Sequence, residues 1–196
     1  MDFNSLKQSC YRKVAQDPFS PTVTVLVGSD TVLHLPVLEW FASLCDSVVE
    51  FGVRTGESTV ALISGCKGEV KSYDIVESEA VGLLRSLVLP CSWTFRRHDT
   101  LTHSHLVPEA DLFFFDTLHT YDHLKKELDL HGRKARKFLV FHDVFTCGQQ
   151  DISGPDPSVR GIMPAIEEFV ARFPDEYETA YKTDCNNGLL VLRRLS

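Results

Sequence analysis

The segment V-V-E-F-G-V-R-T-G-E-S-T, Val48 to Thr59, constrains the fold of this 196-residue chain more than any other. Apolar, β-prone residues lead into Gly52 and Gly56, and a short helical stretch, Val60 to Ser64, follows them. Glycine lets a turn approach a ligand closely, and the start of a helix offers unpaired backbone N–H groups. The order of strand, glycine turn and helix therefore predicts an α/β protein with a ligand site at this turn.

The glycine spacing favours one kind of ligand over another. A dinucleotide-binding turn has the pattern G-x-G-x-x-G, whereas here Glu50 takes the first small position and the glycines are spaced G-x-x-x-G. The pattern E-x-G-x-x-x-G-x-S/T resembles motif I of the class I S-adenosylmethionine-dependent methyltransferases. The resemblance implies that Glu50 helps to hold the amino-acid end of the cofactor, and that the loop wraps beside it. The cofactor-binding residues implied in the loop are Gly52, Val53, Arg54, Thr55, Gly56 and Ser58.

One alternative to a ligand site stays open for this turn. The turn could be an ordinary βα connection with no ligand. Ser58 or Thr59 could serve as the helix cap, because hydroxyl side chains are favoured there.

Composition excludes several classes of protein. The net charge of −7 argues against a nonspecific polyanion binder, so nucleic acid is a disfavoured partner. The six cysteines are widely spread without a C-x-x-C pair, and the N-terminus lacks the apolar core of a signal peptide, which predicts reduced thiols in a cytoplasmic protein. No apolar run approaches the roughly 18 residues that a membrane helix requires, so we expect no membrane partner.

We predict one domain, residues 1–196, with an N-terminal cap segment over 1–46 and a cofactor-binding and catalytic core over 47–196. Within the cap, the sequence predicts a helix over 5–16, a β-prone run over 22–27 and a helix over 35–44. In small-molecule methyltransferases such segments cover the active site, although a plain packing role fits the pattern equally well.

Two further strands are predicted to end on carboxylates. The run G-E-V-K-S-Y-D ends at Asp74, where an acid can accept both hydroxyls of a ribose, in a nicotinamide dinucleotide as well as in S-adenosylmethionine. The run S-W-T-F-R-R-H-D ends at Asp99. The methyltransferase resemblance implies that Asp99 and Thr100 contact the adenine edge and that Ile75 belongs to the cofactor-binding residues, while a solvated loop is the alternative for Asp99.

The segment A-D-L-F-F-F-D-T-L-H-T-Y predicts a strand buried on both faces, then Asp116 at its end, and a helix capped by Thr120. The pattern D-x-x-H-T-Y resembles a segment of the O-methyltransferase branch that includes cephalosporin-hydroxylase-like and sugar or macrolide enzymes. That resemblance implies that His119 lies over the transferred methyl group as the catalytic base. It also places Asp116 in both the cofactor-binding and the catalytic set.

The run F-L-V-F-H-D predicts a fifth strand that ends in His142 and Asp143. Metal-dependent O-methyltransferases bind a divalent ion with acidic residues at the ends of the fourth and fifth strands. The resemblance therefore implies a metal site at Asp116, His142 and Asp143. An imidazole shifts the preference from Mg²⁺ toward another divalent metal. His142 as a second base or supporting group, and a site without metal, stay open.

The C-terminal region predicts a hairpin, because two strand-like runs flank the turn signal Asn187-Gly188. The fold class is therefore α/β: a Rossmann-like, doubly wound, mostly parallel seven-stranded sheet with a C-terminal antiparallel hairpin. In such sheets ligands bind at the carboxyl edge of the strands. Five predicted strands end at or near acids there: Glu50, Asp74, Asp99, Asp116 and Asp143.

We accordingly expect an enzyme that transfers a methyl group from S-adenosylmethionine to an oxygen of a small acceptor, a sugar or hydroxylated metabolite, with a divalent metal as an option. The polar loop over 144–160 would shape the acceptor pocket. A homo-oligomer is compatible with the sequence. The alternatives are a nicotinamide-dependent oxidoreductase and a catalytically silent cofactor-binding or scaffold module.

Overall fold

The computed structural model describes residues 1–15, 30–151, 156 and 158–195. The strands are β1 Ser47–Phe51, β2 Glu69–Asp74, β3 Ser92–Arg97, β4 Ala110–Phe115, β5 Ala135–His142, β6 Tyr177–Thr183 and β7 Leu189–Arg194. The α-helices are α1 Phe3–Ala15, α2 Leu35–Ser43, α3 Glu57–Gly65, α4 Glu79–Arg85, α5 Tyr121–His131 and α6 Met163–Arg172.

The seven strands form one sheet in the order β3-β2-β1-β4-β5-β7-β6. The five strands from β3 to β5 run parallel, and β7 lies antiparallel between β5 and β6. The predicted fold class is confirmed, including the terminal hairpin. A dinucleotide-binding sheet continues with parallel crossovers at this edge, so the antiparallel β7 separates this fold from that one.

The sheet is covered on both faces. Side chains of α2 and α3 pack on one face with residues such as Val48 and Leu112, and those of α5 and α6 pack on the other with Phe51 and Phe113. All six residues of β4 are buried, as its continuous apolar run predicts for a central parallel strand. Chain order then reverses between β1 and β4, which places their carboxyl ends at the edge where doubly wound sheets bind ligands.

The predicted cap of α3 is wrong. The residue before the helix is Gly56, with φ +81°, and no side chain caps the first turn. A Cβ on Gly56 would lie 2.9 Å from Cβ of Ala80, so the packing of α4 also requires glycine there. The hydroxyls of Ser58 and Thr59 instead bind a buried carboxylate, described below.

One further stretch forms a shorter helix than its composition indicates. Residues 77–89 are helical in composition up to Pro90, whereas the helix extends only over Glu79–Arg85, and Leu87 and Leu89 pack on the core beyond its end. The first helix and the helix from Leu35 are present. The β-prone run over 22–27 lies outside the described residues.

None of the helices in the described part of the chain is long and apolar enough to cross a membrane. All six cysteines are among the described residues, and none forms a disulfide.

Candidate active site

The glycine turn packs directly on the end of β4. Gly52 has φ +88°, and its N–H donates to the carbonyl of Tyr73 at 2.9 Å. A Cβ at Gly52 would lie 2.0 Å from the backbone oxygen of Asp116, which leaves no space for a side chain. The glycine in this motif is therefore needed to join the ends of β1 and β4, beside the ligand site.

Glu50 is fully buried behind the turn. Its carboxylate accepts hydrogen bonds from Ser58 Oγ at 2.7 Å, Thr59 Oγ1 at 2.8 Å and Ser72 Oγ at 2.6 Å. Trp93 Nε1 in turn donates to Ser72 Oγ at 3.0 Å. Burial raises the pKa of Glu50 to about 7, although the three hydroxyl donors act in the opposite direction. Glu50 thus fastens the start of α3 to β1 and β2.

Asp74, at the end of β2, holds the glycine turn because its carboxylate accepts hydrogen bonds from backbone N–H groups of the turn. Its Oδ2 accepts from the N–H groups of Val53 at 2.8 Å and Arg54 at 3.2 Å, and its Oδ1 accepts from the N–H of Val76 at 2.9 Å. The two N–H donors occupy both lone pairs of Oδ2, whereas Oδ1 keeps a second lone pair for a ligand. The carboxylate is therefore oriented by the protein and still able to accept a ligand hydroxyl at Oδ1.

A cavity of about 470 Å³ opens at this edge of the sheet. That volume falls within the range of small-molecule sites. Predicted site residues that line it are Gly52, Arg54, Asp74, Ile75, Asp99, Thr100 and Asp116. Predicted residues that do not line it are Glu50, Val53, Thr55, Gly56, Ser58, His119, His142 and Asp143. The cavity brings the ends of β1, β2, β3 and β4 together around one space.

The part of the cavity beyond β3 rests on a buried carboxylate that sequence reasoning missed. Glu127 of α5 has no exposed surface and accepts from Thr100 Oγ1 at 2.7 Å and Thr117 Oγ1 at 2.8 Å. His123 Nε2 lies 3.4 Å from the same carboxylate, and the His123 side chain lines the cavity. Glu127 thereby fixes three polar residues of the wall.

A second group of charged side chains lies at the ends of β4 and β5. His142 Nδ1 is 3.2 Å from Asp116 Oδ1 and 3.0 Å from Asp143 Oδ2. His119 Nε2 is 2.7 Å from Asp143 Oδ2 and 4.0 Å from Asp116 Oδ1. The structure therefore brings together all four residues that the sequence nominated for catalysis and metal binding. We call them the acid–histidine cluster.

The cluster contains two carboxylates and two imidazoles that shift each other's pKa. Burial acts to lower the pKa of both histidines, but the adjacent Asp116 and Asp143 outweigh it and raise the pKa of His119 to about 10 and that of His142 to about 11. The histidines hold the pKa of both aspartates below the ordinary value, against the effect of burial. At neutral pH the cluster thus carries two protonated imidazoles and two ionised carboxylates.

One oxygen in the cluster has close neighbours but no hydrogen bond. Asp143 Oδ2 is buried, and neither histidine N–H meets it with hydrogen-bond geometry despite the short distances. Asp143 also has φ +60°, a strained conformation for a residue with a side chain. Ligand atoms of half-buried Asp116 and of buried His142 and Asp143 lie within 4.8 Å of one another. These residues fit a divalent cation of intermediate softness, as a mixed imidazole and carboxylate set favours.

Residues from both ends of the chain lie against His142. His142 Nε2 is 3.1 Å from the carbonyl oxygen of Asp30 and 3.3 Å from that of Asn186, in the β6–β7 turn. His34 Nε2 approaches the same Asn186 oxygen at 2.9 Å. Burial lowers the pKa of His34 to about 4, so His34 is neutral and can donate through this nitrogen. Part of the predicted cap segment thus contacts the acid–histidine cluster.

Sequence reasoning missed several residues of the cavity and its surroundings. The missed cavity residues are Tyr73, His98, Leu101, Thr117, Leu118 and His123. Thr117 and Leu118 occupy the two x positions of the quoted D-x-x-H-T-Y motif, and His123 lies two residues after it, so the motif could have suggested all three. His34 and Asn186 carried no comparable signal, because their contacts depend on how the chain ends meet.

Solved structures similar to this one were found, whereas no protein-family model and no curated protein sequence matches the chain. The methyltransferase PaMTH1 from Podospora anserina, solved with S-adenosylhomocysteine, superimposes with a TM-score of 0.60 at 16% identity, covering 97% of this chain and 88% of that one. The O-methyltransferase TomG from Streptomyces achromogenes, in complex with S-adenosylmethionine, gives 0.58 at 14% identity, covering 100% and 91%.

The N-methyltransferase NodS from Bradyrhizobium japonicum, in complex with S-adenosylhomocysteine, gives 0.61 at 15% identity, covering 95% and 99%. The neighbours thus include both O- and N-methyltransferases, which differ in the acceptor atom. At these identities the likeness defines the fold. The chain has the class I S-adenosylmethionine-dependent methyltransferase fold.

Proposed function

We propose that this protein binds S-adenosylmethionine in the 470 Å³ cavity and transfers its methyl group to an oxygen of a small hydroxylated acceptor. The observation that carries the proposal is the position of Asp116. Asp116 lines the cavity, and its Oδ1 lies 3.2 Å from Nδ1 of His142 in the acid–histidine cluster. A cofactor-sized space therefore borders directly on groups that can orient an acceptor and handle its proton.

The cavity walls supply the groups that would hold the cofactor. Asp74 would accept a ribose hydroxyl with the remaining lone pair of Oδ1, while Asp99, Thr100 and His123 line the side assigned to the adenine. Glu50 is closed off by three hydroxyls, so its support for binding is through the shape of the glycine turn. The cofactor would supply an electrophilic methyl group, and the protein must align the acceptor oxygen with it.

The acceptor's proton must pass to a basic group as its oxygen reacts. We assign this role to His119, which is partly exposed at 24% of its side chain, whereas His142 is completely enclosed. His119 can accept a proton only when its ring is neutral. Beside the carboxylates of Asp116 and Asp143 its pKa of about 10 keeps the ring protonated at neutral pH.

A divalent cation on Asp116, His142 and Asp143 would remove this conflict. Its charge beside the histidines would favour their neutral forms, and it would also lower the pKa of an acceptor hydroxyl. The buried oxygen of Asp143 that lacks a hydrogen bond is the observation that supports cation binding there.

Isothermal titration calorimetry with S-adenosylmethionine and S-adenosylhomocysteine tests the core of the proposal. We expect binding to the wild-type protein and weaker binding to Asp74→Ala, with Glu79→Ala on the first turn of α4 as a charge-matched control. A parallel titration with NADH tests the oxidoreductase alternative. Binding of NADH without binding of S-adenosylmethionine would overturn the proposal.

A pool of hydroxylated sugars and metabolites, incubated with S-adenosylmethionine carrying a labelled methyl group, then tests turnover. Label transferred to an oxygen of one class of compound supports the acceptor assignment. Cofactor binding with no transfer to any pool, with and without added Mg²⁺ or Mn²⁺, would favour a catalytically silent module instead.

A further inference from the structure

A second set of metal-ligating side chains shares His119 with the acid–histidine cluster and adds two residues of the loop after β5. Ligand atoms of His119, Cys147 and Asp151 all lie within 4.8 Å of one another. Cys147 is 3% exposed and Asp151 is 4% exposed, so this is not a chance meeting of surface groups. Sequence reasoning did not connect the three residues, because Cys147 and Asp151 belong to the long loop after β5 and His119 follows β4.

The backbone holds the two loop residues in place. The N–H of Cys147 donates to the carbonyl of Asp143 at 3.0 Å, and its own carbonyl accepts from the N–H of Ile162 at 3.0 Å. The N–H of Asp151 donates to the carbonyl of Val159 at 3.0 Å, next to an isolated antiparallel bridge between residues 150 and 160. The two sides of the loop are therefore tied together on either side of the candidate ligands.

Glycines make this tight arrangement feasible. A Cβ on Gly161 would lie 2.1 Å from the carbonyl oxygen of Cys147, and one on Gly148 would lie 2.1 Å from that of Val144. No larger residue fits at either position without moving the backbone. The loop near Cys147 is thus built around a fixed backbone, which is what a preorganised ligand set requires.

The chemistry of the three ligands selects the metal. A thiolate, an imidazole and a carboxylate suit Zn²⁺, and three protein ligands leave its fourth tetrahedral position for water or another ligand. Mg²⁺ prefers an all-oxygen octahedral set and is excluded by the thiolate. Zn²⁺ bond lengths of about 2.0–2.3 Å place neighbouring ligand atoms about 3.5 Å apart. Side-chain rotations that move the ligand atoms by about an ångström would therefore bring all three within bonding distance of one ion.

We propose that His119, Cys147 and Asp151 form a site for Zn²⁺ or a similar thiophilic divalent cation, separate from Asp116, His142 and Asp143. Cation binding here stands without the methyl-transfer proposal. If both hold, the two roles compete for His119, since a histidine bound to Zn²⁺ through the nitrogen that serves as base cannot take the acceptor's proton.

Cobalt substitution tests the site directly. Co²⁺ is added to chelator-treated full-length protein, and the near-ultraviolet charge-transfer band that reports a cobalt–thiolate bond is recorded. We expect the band in the wild-type protein, its loss on addition of Zn²⁺, and its absence in Cys147→Ser. Asp151→Asn should weaken Co²⁺ binding at least about tenfold.

Two matched variants make the result specific. Cys185→Ser removes an exposed thiol and should leave the band unchanged. Asp116→Asn alters the other ligand set and should also leave it, whereas loss of the band in Asp116→Asn would show that the two sets are not separate. Circular dichroism and thermal unfolding confirm that Cys147→Ser is folded.

The proposal is overturned if Co²⁺ binds wild-type protein without a thiolate band, if the band survives in folded Cys147→Ser, or if no Co²⁺ binds. These outcomes do not depend on S-adenosylmethionine. A failure of the metal site and a failure of methyl transfer are therefore distinguishable.

Discussion

The two halves of the carboxyl edge treat buried carboxylates in opposite ways. On the β1–β2 side, Glu50 is surrounded by neutral hydroxyl donors, and burial raises its pKa to about 7. On the β4–β5 side, Asp143 lies between two imidazoles, and its pKa is lowered despite burial. On the β1–β2 side, the Glu50 carboxylate is hydrogen-bonded within the protein. On the β4–β5 side, the cluster keeps its charges, and Asp143 Oδ2 has no hydrogen bond. The contrast separates the part that shapes a cofactor site from the part suited to chemistry.

The largest effect that would sharpen this contrast is on the reactive side. His119→Ala should lower kcat by about 10²–10⁴-fold, because it removes the proposed base. The affinity for S-adenosylmethionine should change little, since His119 does not line the cavity. Initial rates and calorimetry on the same preparation check both statements, with exposed His105→Ala as the control. An unchanged kcat would remove His119 from the mechanism.

On the scaffold side, Glu50→Gln should remove a pH dependence of folding. The pKa of Glu50 is raised in the folded state, so wild-type stability is fully present below about 4.5 and declines as the pH rises to about 7. The loss amounts to about 3 kcal/mol in the free energy of unfolding. The glutamine variant cannot ionise at this position, so its free energy of unfolding should rise relative to that of the wild type as the pH increases across this interval.

Denaturant unfolding of both proteins between pH 4.5 and 8 measures this difference. A difference in unfolding free energy that stays constant with pH would show that Glu50 is already ionised in the folded protein. Comparing the two proteins at each pH cancels the titration of groups that they share.

Asp74→Ala should raise the dissociation constant for S-adenosylmethionine by about 10–100-fold, through a lost charge-assisted hydrogen bond to the ribose. Asp74→Asn keeps one oxygen and should lose less. The order wild type, asparagine, alanine in calorimetric affinity is the expected result. Equal affinities for all three would mean that the ribose does not lie at the end of β2.

The smallest effect concerns one hydroxyl of the scaffold. Ser58→Ala should cost about 1–2 kcal/mol in unfolding free energy, because one of three donors to buried Glu50 is lost. Half-buried Ser43→Ala, whose hydroxyl donates to the nearby carbonyl of Trp40, is the matched control. A cost equal to that of the control would indicate that the remaining two hydroxyls satisfy the carboxyl.

Much of the scaffold was predictable because it is local in sequence. The glycine turn, the strand ends at Asp74 and Asp116 and the terminal hairpin each follow from short patterns. The partners of Glu50 were not predictable, since Ser72 reaches it through the pairing of β1 with β2, where Glu50 lies opposite Ser72. A sequence does not display strand register, and for that reason Ser58 and Thr59 were misread as caps.

The acid–histidine cluster was predicted as a set of residues, but its electrostatics were not. Strand-end positions predict that Asp116, His142 and Asp143 converge. Burial and the neighbouring carboxylates shift the pKa of His119 and His142 in opposite directions. Which effect is larger depends on differences of a few tenths of an ångström between side chains, and here the carboxylates raise both pKa values. Glu127 shows the same limit, because its place in the charged run K-K-E-L suggests exposure, while the packing of α5 buries it completely.

The carbonyl oxygen of Asn186, which His34 and His142 both approach, carries a lesson for engineering acceptor choice. One atom of the β6–β7 turn serves the N-terminal segment and a strand of the core at once. If only the segment around residues 30–34 were replaced, the new segment would pack against a β6–β7 turn whose Asn186 carbonyl is positioned for the original segment. These two stretches are best transplanted as a pair when such a scaffold is recombined with a relative of the same fold.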